Sequence, residues 1–255
     1  MNHFEWKGWV IRPLVIVLIF LAMQVFCALP VAFLSVSETK TSSAMISLTL
    51  IVSSVMTIWV LHLLHFFHLR HIVDMKTHSG YALIGIVAAL FGIFAFSVLS
   101  EFFSLDDNVK EEMTGMAHSS LGVVALVFIG PLCEEIVFRG AVFHSMLKGG
   151  MSPWLAMTAS AFLFALIHLN PAQIPYAFLM GIILAILAYY SESILPSLVV
   201  HVINNGYAVA ALRYADSDTS FRSVLDGWCL PLMLAALAVC VFLLILFAIK
   251  ATKFK

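Results

Sequence analysis

Pro131-Leu132-Cys133-Glu134-Glu135-Ile136-Val137-Phe138-Arg139-Gly140 sets three ionisable side chains inside an apolar run that extends from Leu121 to Leu147. A charge near the centre of a bilayer costs about 3 kcal/mol on insertion scales, so an ionisable residue there is a functional candidate from the outset. Three within six positions need partners, and the rest of the chain is read first for what could supply them.

The setting is a membrane. Of the 255 residues, 62% are hydrophobic and only 11% charged, with a mean hydropathy of +1.05. A soluble domain is nearer half apolar and a quarter charged. The net charge of −1 and the lack of any basic run give nucleic acid no footing as a partner. Cys27, Cys133, Cys229 and Cys240 all fall in apolar segments without metal-type spacing, and read as small packing residues. The first apolar run follows Lys7 and Arg12 and is too long for a signal-peptide core, so it reads as a first transmembrane helix.

A crossing needs about 20 mostly apolar residues. The hydropathy predicts an all-α polytopic protein with eight spans: Ile11–Leu34, Met45–Phe67, Tyr81–Leu99, Leu121–Leu147, Pro153–Leu169, Ile174–Tyr190, Ile194–Leu212 and Gly227–Phe247. The fifth and sixth are short. The fourth is too long, and its tail from Gly140 is expected to lie along the interface. Lys7, Arg12, Arg70, Lys76, Arg139, Lys148, Lys250, Lys253 and Lys255 fall on one side of this arrangement, and Lys40, Lys110, Arg213 and Arg222 on the other. The excess marks the cytoplasmic side, giving both termini inside. Residues 1–255 read as one integral-membrane domain, and the compact loops fit a bacterial plasma membrane.

Glu135 and Arg139 stand four apart with the acid first, the favourable order for a helical ion pair. Glu134 points about 100° away and shares that partner less easily. Glu135 is then the anchor of Arg139, and Glu134 the carboxylate suited to general-base work. A structural ion-pair cluster, an ion or proton relay and a catalytic site all remain compatible with this stretch alone.

Two further polar sites follow. Phe164-Ala165-Leu166-Ile167-His168 puts a ring and an imidazole on one helical face, and His201-Val202-Ile203-Asn204-Asn205 does the same for an imidazole and an amide. Glu135 lies 16 residues before position 151 and His168 lies 17 after it, so a hairpin turning there brings both to equal depth. Singly, each site could be interhelical hydrogen bonding, worth about 1 kcal/mol per bond in membranes. Together they supply a base, two imidazoles, an amide and a clamped arginine, the inventory of a hydrolytic site.

These residues resemble the CPBP intramembrane proteases, the family of CAAX proteases and bacteriocin-processing or self-immunity enzymes. The pattern Glu-Glu-x-x-x-Arg, Phe-x-x-x-His and His-x-x-x-Asn is intact and in order within residues 115–212. The resemblance implies an eight-helix fold with a site sunk in the membrane and a membrane-associated or lipidated protein or peptide as substrate. It also implies that Glu134 with His168 activates a water, that His201 and Asn205 stabilise the oxyanion, and that Glu135, Arg139 and Phe164 support the site. No metal is required on this reading. If zinc or another divalent ion is used, Glu134, His168 and His201 are its ligands, although the two-histidine helix His-Glu-x-x-His is absent. A proton-coupled transporter and a non-catalytic immunity or scaffold protein are the alternatives. His62, His65, His68 and His71 recur every third residue, drift around a helix and cannot converge on one metal.

Overall fold

Ser42 begins the second helix by accepting the Met45 N–H on its side chain, and Ser119 does the same for Gly122 at the head of the fourth span. The structure, a computed structural model, describes residues 5–35, 42–68, 73–103, 105–214 and 220–253. The described elements are helices: α1 (Glu5–Ser35), α2 (Ser43–Leu63), α3 (Ser79–Ser100), α4 (Lys110–Ala117), α5 (Ser120–Lys148), α6 (Pro153–Leu166), α7 (Ile174–Ser191), α8 (Leu195–Tyr214) and α9 (Cys229–Thr252), the last entered through a turn at Phe221–Leu225. No strand occurs among the described residues.

Among the described residues seven helices are long and apolar enough to cross a membrane, and α6 is a further apolar helix of 14 residues. At 1.5 Å per residue α6 reaches about 21 Å, against a hydrocarbon core of about 30 Å. It stops three residues before the predicted end of its span. Leu169 adopts a left-handed backbone, φ 50°, and the fully buried Asn170 is tied to the segment before α4. Its Nδ2 donates to Asp107 Oδ1 at 2.8 Å and its Oδ1 accepts from Asn108 N–H at 3.3 Å, while Ala172 N–H donates to Asp106 O at 3.3 Å. The tail of the fourth span is enclosed by protein: Gly140, Ala141, Val142 and Phe143 are all buried. Large apolar side chains such as Leu18, Phe33 and Phe242 face outward, as lipid requires. The chain is a multi-pass cell-membrane protein.

Two units are interleaved along the chain. The first takes residues Met1–Leu69, Val109–Ala156 and Val202–Tyr214. Here α1 and α2 pack side by side on α5, α1 against its second half and α2 against its first. Phe20 meets Phe138 edge-on at 6.1 Å. Val209 of α8 joins Met116, Ala117, Ala125, Leu126 and Val127 in a buried cluster. Gly122 is required: a Cβ there would collide with the Met116 carbonyl.

The second unit takes Arg70–Asn108, Met157–His201 and Ala215–Lys255. Small residues line α3 at Ala82, Gly85, Ala89 and Gly92, letting α7 and α9 approach. At Gly92 a Cβ would lie 2.5 Å from Ile183 Cδ1. Glu101 accepts the Phe221 and Arg222 N–H groups at 2.8 and 3.0 Å, closing the turn before α9. Of the spaced histidines, only His62 lies on α2; His65 turns the chain at φ 55°, and His71 lies outside the described residues.

Candidate active site

α5 carries the carboxylates on a short α-helical run, Gly130–Glu135. It is flanked by a π-helical turn at Ala125–Ile129 and a longer π-helical stretch at Ile136–Phe143. Such wide turns recur at functional sites. Glu135 Oε1 accepts from Arg139 Nη1 at 3.0 Å, and both side chains are fully buried. This is the pair that the four-residue spacing predicts. Arg139 lies in the field of both carboxylates, that of Glu135 being the stronger. Glu134 is the less buried of the two.

α2 brings hydroxyls that hydropathy hides. Ser47, Ser53, Ser54 and Thr57 are buried, and Ser54 hydrogen-bonds to Cys133, the residue before Glu134. Ser53 donates to Gln24 Oε1 of α1 at 2.7 Å. Ser47 and Thr57 donate to carbonyls of their own helix at 2.6 and 2.7 Å. The signal available in the sequence was the spacing of 47, 54 and 57, which share one helical face.

Asn205 belongs to the same unit. Its Nδ2 donates to Leu126 O of α5 at 2.9 Å, and its Oδ1 accepts from Asn204 Nδ2 at 3.2 Å.

Phe164, His168 and His201 form a second set, in the other unit. Phe164 is buried and stands between two imidazoles, edge-on to His168 at 5.0 Å and to His201 at 5.7 Å. His168 lies just past the end of α6, not within it as the sequence suggests. Its Nδ1 is 2.9 Å from Phe164 O. A carbonyl oxygen only accepts, so Nδ1 carries a proton, and in the neutral ring it is Nε2 that holds the lone pair. The same bond satisfies one of the carbonyls left open at the helix end. That fixes His168 in the tautomer of a base. His201, nearly two turns into α8, is buried. Gly181 of α7 closes the packing behind this set, since a Cβ there would stand 3.0 Å from Ala161 Cβ and 3.3 Å from Phe164 Cδ1. Among the described residues no group of three or more His, Cys, Asp or Glu side chains is gathered as a metal site.

Residues 116–207 match the family model of the type II CAAX prenyl endopeptidases, Rce1-like. The membrane-embedded CAAX protease MroQ of Staphylococcus aureus (strain USA300) is 31% identical over 105 residues, covering 36% of this chain and 42% of that protein. The match thus spans less than half the length of that relative. No solved structure matches the chain. All three polar motifs, from Glu134 to Asn205, lie inside the matched segment, and it is over this segment that the chain resembles the CAAX endopeptidases.

Proposed function

We propose that this protein is an intramembrane endopeptidase that hydrolyses a peptide bond in a membrane-associated or lipidated protein or peptide. The observation that carries the reading is the match of residues 116–207 to CAAX endopeptidases with every polar motif intact. The fixed tautomer of His168 supports it.

Glu134 takes the proton of the attacking water, and His168 Nε2 holds that water by accepting its other hydrogen. His201 and the second N–H of the Asn205 amide donate to the oxygen of the tetrahedral intermediate. A donor aimed at such an oxyanion contributes about 3–4 kcal/mol. Glu134, now protonated, returns the proton to the leaving amine. Glu135 and Arg139 neutralise each other and hold the carboxylate helix, and Phe164 keeps the two imidazoles apart.

The reaction takes this form without a metal ion. Should a zinc ion be used instead, Glu134, His168 and His201 are the side chains that would hold it. Turnover is expected to survive EDTA and 1,10-phenanthroline. Inhibition that added zinc reverses would overturn this part of the reading.

The decisive experiment compares peptide ends in the membrane proteomes of cells carrying the wild type and Glu134→Gln. New ends are expected with the wild type alone. Identical sets from the two strains would overturn the endopeptidase reading. Function that persists in a Glu134→Gln, His168→Ala double variant would favour a scaffold. A transporter finds no support in the α2 hydroxyls, because Ser47 and Thr57 donate to their own helix instead of forming a chain.

A further inference from the structure

Pro131 brings no N–H into α5, and its ring crowds the carbonyl four residues back, at Val127. The helix responds by widening. Residues Ala125–Ile129 run as π-helix, and the Gly130 N–H returns to Ala125 O, five residues back, instead of to Leu126 O. Leu126 O thereby loses both backbone donors that could reach it. The α-helical donor, Gly130, is committed to Ala125. The π-helical donor would be residue 131, which is proline. A carbonyl left so in hydrocarbon must be satisfied by a neighbouring helix.

Asn205 does this, with its Nδ2 2.9 Å from Leu126 O. Its Oδ1 is turned to Asn204, so the amide faces Leu126 with its donor end. Gly206 follows, facing Val127 of the same stretch, where a Cβ would make an ordinary van der Waals contact at 3.7 Å from Val127 Cγ1. Val202 and Val209 pack on the same stretch of α5.

We propose that Asn205 is a positioning residue. It replaces the backbone donor that Pro131 removes, and so holds the wide turn from which Gly130–Glu135 starts and presents Glu134. Pro131 and Asn205 form one device, built from two helices that are far apart in sequence. The proposal rests on the reading of Glu134 as the base, but the bond itself can be tested without any substrate.

The test uses wild type, Asn205→Ala, Pro131→Ala and the double variant, each purified in detergent. Two quantities are read: Tm, and the rate at which dicyclohexylcarbodiimide labels Glu134, followed by peptide mass spectrometry. Asn205→Ala is expected to lower Tm and to change the labelling rate of Glu134. In the Pro131→Ala background, where residue 131 regains its N–H, most of the Tm loss from Asn205→Ala is expected to disappear. If Asn205→Ala alone yields no folded protein, folded yield replaces Tm, and the double variant is expected to restore it. A Tm loss, or a loss of folded yield, that Pro131→Ala does not repair overturns the proposal. So does an Asn205→Ala protein with unchanged Tm and labelling, even if its turnover falls, because the amide would then act only at the reacting carbonyl. If no variant or wild type cleaves any peptide, the enzymatic reading fails while the Tm comparison still decides the device.

Discussion

Glu134 and Glu135 are neighbours in sequence and should fail in opposite ways. Glu135→Gln leaves the Arg139 guanidinium buried without its anion, a change that costs about 3–5 kcal/mol when a buried pair is broken. A large drop in Tm and in folded yield is the expected outcome, measured in detergent against the wild type. Glu134→Gln should keep its Tm and lose peptide cleavage. His201→Ala should lower kcat by about 10²–10³-fold with little change in KM, as removal of an oxyanion donor does; a change in KM alone would assign His201 to substrate binding. The Glu135–Arg139 pair was legible because helical spacing is local and two residues four apart must meet. The Asn170–Asp107 bond joins residues 63 apart, and no periodicity announces it. His168 was legible as a residue but not as a tautomer, which depended on where α6 ends.

Among the elements, α7 packs against Phe164, the ring that stands between the two imidazoles. Gly181→Ala would press a methyl against Ala161 and Phe164, and overpacking of this kind costs about 1–3 kcal/mol. Reduced Tm with a fall in kcat larger than the change in KM is expected, because Phe164 would shift against both His168 and His201. Another contact lies outside the membrane segments, where Lys76 meets Glu192 at 2.7 Å. The hydrogen bond and charge of Glu192 hold the Lys76 ammonium above the ordinary lysine value of 10.5. The sign follows: whatever the pair contributes is present below that value and is lost as pH rises through the higher folded one. Being exposed, it should matter little, and Lys76→Met is expected to leave turnover unchanged at neutral pH. Hydropathy revealed most elements, since apolar runs of span length are unmistakable. It could not reveal the π-helical stretches. In a helix that is apolar on every side, an extra residue in a turn disturbs no pattern. The equal-depth argument linking Glu135 to His168 assumed a uniform rise that Ile136–Phe143 does not have.

At the scale of the molecule, orientation depends on the charge count and on α6. Arg139 is fully buried and is no loop charge, which leaves eight basic residues on the predicted inner side against four on the other. Lys40, Arg70 and Lys255 among them lie outside the described residues. The bias still predicts both termini inside. Seven long helices alone would put the termini on opposite sides, so this orientation requires α6 to count as a crossing despite its length. Fluorescent and phosphatase reporters fused to each terminus decide it. Fluorescence at both ends is expected, and an active phosphatase at the C-terminus would mean that α6 does not carry the chain across.

The tether at Asn170 has a consequence for engineering. A surface loop between helices is where a chain ordinarily tolerates insertions, and the segment before α4 looks like the natural place for an epitope tag. Its Asp106, Asp107 and Asn108 are instead bonded to the turn that follows His168. A tag placed between Asp107 and Asn108 would therefore pull on the turn that holds the His168 imidazole.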